Sequence, residues 1–259
     1  MATIVLVRHG RTSANERGIL AGRSPGVTLD EVGHKQATDL ARRLAAVPFT
    51  TIVTSPLERT RETAEHIHTQ QERTASDVVV DERFIECDYG KWTGQSLATL
   101  AKKSLWKQVQ SHPSAVTFPD GESLMAMSMR AVSAIRDWTQ RSRDADVLAV
   151  VSHGDVIKAV LADALGMHLD AFQRLSVDPC SVSIVRYTKV RPFVVRMNDT
   201  GSDVAFLAST SADVSTDAPV GGGAGRGYAN MGIPPTRKVR GRPGGNAGRA
   251  DLLPAGEIR

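Results

Sequence analysis

Hydrophobic and polar positions along this 259-residue chain follow two periods. Short stretches rich in Val, Ile and Leu occur at residues 3–7, 51–54, 78–81, 147–151, 181–187 and 193–197. Each stops at polar or turn-forming residues, the pattern of a buried strand entering a loop. Between them, helical spacing predicts helices over 32–47, after Ser55-Pro56, over 96–110, from Asp120-Gly-Glu-Ser123 to about residue 141, and over 155–165. Thr28-x-x-Glu31 spells a capping box ahead of the first of these, and Pro56 suits the first turn of the next. Strands alternating with helices imply an α/β fold, a three-layer αβα sandwich with a mostly parallel central sheet. The chain shows no internal repeat and no Walker or G-x-G-x-x-G glycine pattern.

Two of the strand stretches end alike, in Arg8-His9-Gly10 and Ser152-His153-Gly154. The carboxyl ends of strands in open α/β sheets gather the ligand site. Two imidazoles and Arg8 are therefore expected to line one crevice.

Composition divides the chain. Residues 221–259 hold seven basic and two acidic side chains, a net +5 against +4 for the whole, so the remainder carries −1. The basic character thus belongs to the tail and gives the folded body no reason to bind nucleic acid. Eleven of the 22 glycines also lie there, with Tyr228 as the only aromatic, too little apolar surface to offset the entropy of ordering. The expected organisation is a catalytic domain over 1–211 and a disordered basic tail over 212–259. No apolar run of membrane-spanning length and no signal-peptide pattern is found, so a cytoplasmic protein is expected. Cys87 and Cys180 lie far apart and read as two ordinary thiols of a reducing compartment.

Four blocks, in order, carry a resemblance: Arg8-His9-Gly10 with Thr12 and Asn15; Ser55-Pro-Leu-Glu-Arg59-Thr-Arg-Glu-Thr63; Glu86-Cys-Asp-Tyr89-Gly90-Lys-Trp92-Thr-Gly94; and Ser152-His153-Gly154. Together they resemble the histidine phosphatase superfamily in its phosphoglycerate mutase-like branch, over residues 3 to about 200. The resemblance implies a phosphohistidine mechanism without metal or cofactor. His9 is then the nucleophile, because an imidazole nitrogen can attack phosphorus and split one displacement into two. Arg8 and Arg59 are the guanidinium clamps for the phosphoryl oxygens. His153, if protonated, adds a cationic donor there, and Asn15 a neutral one. Glu86 is the implied general acid, beside Phe84 and Tyr89 and with Asp88 as competitor; partial desolvation should raise its pKa. Gly22, Tyr89, Gly154 and Asp155 are assigned to the substrate side. His34, His66, His68, His112 and His168 show no metal-ligand spacing.

The reaction expected is hydrolysis of small phosphate monoesters. The stretch 95–119 has Lys102, Lys103 and Lys107 but no paired arginines for a second anionic group, which disfavours a phosphoglycerate mutase-type phosphomutase. Arg11, Arg17 and Arg23 keep that alternative, and a sugar bisphosphatase, in view. A third reading is an idle scaffold whose basic tail binds nucleic acid or an acidic partner. The partner expected is a small phosphorylated metabolite, with no membrane, nucleic acid only through the tail, and a homodimer left open.

Overall fold

The computed structural model describes residues 1–71, 78–201 and 221. The expected tail over 212–259 therefore lies outside the described residues, apart from Gly221. Among the described residues no helix is long and apolar enough to cross a membrane.

Among the described residues, six strands form one sheet: β1 (Ala2–Arg8), β2 (Thr51–Thr54), β3 (Val78–Val80), β4 (Val147–Ser152), β5 (Val182–Tyr187) and β6 (Pro192–Asp199), in the order β3-β2-β4-β1-β5-β6. The four strands from β3 to β1 are parallel, and β5 and β6 complete the sheet antiparallel. This is the mostly parallel sheet that the alternating pattern implies.

Period-2 alternation sends successive side chains to opposite faces. Ile4, Leu6, Leu148 and Val150 pack on one face with helices α6 (Leu124–Arg141) and α7 (Gly154–Ala164). Val5, Val7, Ala149 and Val151 pack on the other with α2 (Glu31–Leu44) and α3 (Glu58–Thr69). Strands covered on both faces must be apolar at every position, which is why β1 and β4 read as continuous hydrophobic runs.

Register brings the two histidines together. Arg8 pairs with Ser152 across β1 and β4, and Thr54 of β2 pairs with Val151. The next residue of each strand is His9, His153 or Ser55. The amide of His9 donates to the Ser152 carbonyl (3.0 Å) and that of Ser55 to the Val151 carbonyl (3.0 Å), so the three exits are stitched side by side. A short helix, α1 (Ser13–Glu16), follows His9; Thr12 and Asn15 form a reciprocal capping box at its start. The loop then passes the start of α2 so closely that a Cβ on Gly33 would sit 2.0 Å from the Arg11 carbonyl oxygen, and only glycine fits.

Two local expectations are corrected. The cap of α2 is Asp30, whose carboxylate accepts from the Gly33 amide (2.8 Å), and not Thr28, which is exposed. A charged cap competes well for the same orphan donors and moves the cap by two residues, from 28 to 30. The single helix expected over 96–110 is two: α4 (Leu97–Leu100) and α5 (Ser104–Ser111), separated by Lys103 in an extended conformation. The break lets Trp106 stack on Trp92 with ring centroids 6.1 Å apart, a tertiary contact that overrides the local periodicity.

Candidate active site

One cleft at the carboxyl edge of the sheet is lined by His9, Asn15, Gly22, Arg59, Glu86 and Tyr89, all named from the sequence, together with Thr12, Ile19, Leu20, Leu97 and Gly221. Arg8, His153, Gly154 and Asp155 stand behind this lining rather than on it.

His9 is buried, and its Nδ1 lies 2.7 Å from the Gly10 carbonyl oxygen. A carbonyl only accepts, so Nδ1 carries the proton and Nε2 keeps its lone pair. That Nε2 faces Nε of Arg59 at 3.3 Å. Burial first, and then the charges of Arg59 and Arg8, hold the His9 pKa well below the usual histidine value. The ring is therefore a neutral imidazole at physiological pH, with a defined tautomer and its basic nitrogen turned to a cation.

Two guanidiniums are buried beside it. Arg8 donates to the Val177 carbonyl (2.8 Å), and desolvation pulls its pKa down to about 10, which still leaves it charged. Arg59 sits on the first turn of α3 and donates from Nη2 to the Gly22 carbonyl (2.8 Å), while its buried Nη1 has no partner among the described residues. Gly22 adopts φ +53°, and a Cβ there would meet Thr93 Oγ1 at 2.8 Å, so its carbonyl reaches Arg59 only because the residue is glycine.

His153 precedes the first residue of α7, Gly154, and its ring centroid is 5.3 Å from that of His9. Its Nε2 lies 2.7 Å from Ser55 Oγ, and its buried Nδ1 has no partner among the described residues. Burial, Arg59 and His9 hold its pKa well below the usual value as well. In this state it is a neutral ring, and the protonated form considered from the sequence would need an anion beside it.

Asn15 turns its carbonyl oxygen to the amide (3.1 Å) and hydroxyl (2.9 Å) of Thr12, which leaves its NH2 as the end available to the cleft. The amide of Gly10 is held by Thr63 Oγ1 at 3.1 Å. Thr63 and Ser55 belong to the second sequence block, yet no role could be read for them without the fold.

Glu86 lines the same cleft as His9, is 3% exposed, and its carboxylate accepts from the Cys87 amide at 2.9 Å. Burial and the neighbouring charge of Asp155 raise its pKa to about 7, against the opposing pull of Cys87, Arg59 and Arg8. Asp88, the competitor, has a side chain 42% exposed and accepts from the Gly90 amide instead of facing the cleft. Asp155 is fully buried and accepts from the Tyr89 hydroxyl (2.8 Å) and the Gly221 amide (3.1 Å), with Lys158 Nζ 3.6 Å away. It acts on the cleft through Tyr89. Lys158, buried among apolar residues of α7, carries no signal in the sequence that separates it from a surface lysine. Cys87 and Cys180 are both buried free thiols whose pKa values burial raises, the inert condition expected of them.

Of the three arginines kept in view for a second anion, two are engaged by carboxylates, while Arg17 is exposed. Arg11 pairs with Asp30 (2.8 Å) and Arg23 with Glu122 (3.0 Å).

Comparison with known proteins places this geometry. The family model of the histidine phosphatase superfamily (branch 1) matches residues 4–200, and the chain belongs to that superfamily. Its members include phosphatases and mutases. A protein of Cronobacter sakazakii named "Probable phosphoglycerate mutase GpmB" is 33% identical over 221 residues, covering 82% of this chain and 98% of its own. "Phosphoserine phosphatase 1" of Hydrogenobacter thermophilus is 30% identical over 205 residues, covering 77% of this chain and 93% of its own. Among solved structures, Bacillus stearothermophilus YhfR superposes with a TM-score of 0.70 at 25% identity, over 78% of this chain and 98% of that one.

Proposed function

We propose that this protein hydrolyses small phosphate monoesters through a phosphohistidine on His9, without a metal. The observation that carries the reading is the state of His9: buried, neutral, protonated on Nδ1, with Nε2 directed at a buried guanidinium. In this reading His9 Nε2 attacks phosphorus and the bond from phosphorus to the ester oxygen breaks. Positive charge develops on the ring, and the Gly10 carbonyl at Nδ1 stabilises it. Arg59 gives up its long bond to Nε2 and turns, with Arg8, Asn15 and His153, to the equatorial phosphoryl oxygens, where charge accumulates. Glu86, protonated near neutrality, gives its proton to the departing alkoxide. It then takes one from the water that cleaves the phosphorus–nitrogen bond, releasing phosphate and restoring His9. Tyr89, held by Asp155, and Gly22 face the alcohol portion, and Gly154 starts the helix that presents Asp155.

Phosphoserine phosphatase 1 supports hydrolysis, and the mutase name of the 33% identical relative supports the second reading, a phosphomutase. The engagement of Arg11 and Arg23 with carboxylates favours hydrolysis, because a bisphosphorylated substrate needs a second anion site. The deciding experiment follows phosphate release by the full chain, with EDTA present, from a panel of phosphate monoesters that includes 3-phosphoglycerate with and without 2,3-bisphosphoglycerate. Release from several esters is expected. Isomerisation of 3-phosphoglycerate without net release would establish the mutase instead, and a complete absence of turnover would favour a scaffold.

A further inference from the structure

A general acid has to be fixed in place without a cation on its carboxyl, because an ion pair there would stabilise the carboxylate and abolish the acid. Glu86 meets this demand through its main chain. Its carbonyl oxygen accepts from two guanidiniums at once, Arg23 Nε at 2.8 Å and Arg130 Nη2 at 3.2 Å, neither of which lines the cleft. Both lone pairs of that oxygen are thereby used by charge-assisted donors.

The two guanidiniums are themselves joined by one residue. Glu122 accepts from Arg23 Nη2 (3.0 Å) and, through both of its oxygens, from Arg130 Nε (2.7 Å) and Nη2 (2.9 Å). It also grips the acid loop directly: its amide donates to the Asp88 carbonyl (2.8 Å) and its carboxylate accepts from the Asp88 amide (3.3 Å). Arg130 adds a bond to the Arg83 carbonyl (2.6 Å), at the other end of the same loop. Three segments far apart in sequence, the loop after β1, the acid loop and α6, thus meet at one carboxylate. None of the three side chains lines the cleft.

We infer that Arg23, Glu122 and Arg130 form a positioning cluster that holds the Glu86 carboxyl at the ester oxygen and so sets how well the enzyme expels poor leaving groups. This rests on the proposed role of Glu86 as the acid. A displacement of about half an ångström at a reacting group is enough to degrade catalysis, whereas the nucleophile, held by the sheet, is untouched.

The test compares wild type, Glu122→Gln and Glu86→Gln on two substrates: 4-nitrophenyl phosphate, whose phenolate leaves without a proton, and a simple alkyl phosphate, whose alkoxide does not. Glu122→Gln keeps the shape and one acceptor, and Arg23→Lys, at a partly exposed site, serves as second variant if the first does not fold. Losses are read as kcat/KM, which covers only the steps up to departure of the alcohol and not the later hydrolysis of the phosphohistidine. Expected for the cluster variant is a loss of at least about tenfold on the alkyl ester with a change within about threefold on the aryl ester. Equal losses on both substrates, or none, would show a merely structural contact and overturn the inference. Glu86→Gln separates the two ideas. A leaving-group-dependent loss there, without one in Glu122→Gln, defeats the cluster alone; equal losses in Glu86→Gln defeat the acid assignment and the cluster with it.

Discussion

The two sides of the cleft are built by different means. On the nucleophile side, His9, His153 and Ser55 each follow directly on a strand end, and the main-chain ladder of β1, β2 and β4 places them. On the acid side, Glu86 lies in a loop between short 3-10 turns, and side-chain charges from distant segments place it. Backbone pairing gives fixed geometry and is indifferent to salt; ion pairs that are partly exposed are tunable, weaker and screened. The difference assigns the invariant chemistry of phosphorus to the rigid side and the variable demand of the alcohol to the adjustable side.

Electrostatics follow the same division. Burial lowers the pKa of His9 and His153 and raises that of Glu86. The buried neutral histidines contribute stability above the ordinary histidine value, and it is lost as pH falls. The buried neutral Glu86 contributes stability at low pH, and it is lost as pH rises through about 7.

The largest expected break in the comparison is His9→Ala, which should lower kcat by at least about a thousandfold on aryl and alkyl esters alike. Rapid alkaline quenching after mixing with labelled substrate should trap phosphate on the wild-type protein and none on the variant. Labelled variant protein would move the nucleophile elsewhere. Next comes Glu86→Gln, expected to cost about a hundredfold on alkyl esters and to remove the fall in wild-type activity as pH rises through about 7. Urea melts should also show its stability rising with pH through neutrality, since the histidine contribution is no longer opposed there by that of Glu86; an unchanged pH profile would contradict both. Asp155→Asn removes the charge that helps raise Glu86, so the alkaline limb of the activity profile should move to lower pH with turnover in acid little changed. A limb that stays in place would mean that burial alone sets the acid. The smallest effect belongs to Ser55→Ala, which leaves His153 Nε2 without its 2.7 Å partner and should cost about 1–2 kcal/mol of stability in urea melts.

What the sequence made legible was local. The strands, the matching ends at His9 and His153 and the place of Arg59 on α3 all follow from apolar runs, punctuation and short motifs, which report on a few neighbouring residues at a time. What escaped depends on contacts between distant residues. Nothing near Arg23 announces Glu122, which is 99 positions away, and Arg23 accordingly invited a reading as a ligand-binding arginine. The split of α4 from α5 is of the same kind, because the stacking of Trp106 on Trp92 is not written in the periodicity of either helix. Lys158 and Ser55 acquire meaning only once α7 and the end of β2 are placed beside Asp155 and His153.

The flush ending of β1, β2 and β4 divides the chain by its tolerance of insertions and deletions. Adding or removing one residue within β1 or β4 would turn every side chain of that strand to the opposite face and carry His9 or His153 out of line with its neighbour. The same change in the connections that build the alcohol side leaves this alignment intact. New substrate preferences are therefore most cheaply sought by varying the length of those loops, with the strands kept letter for letter.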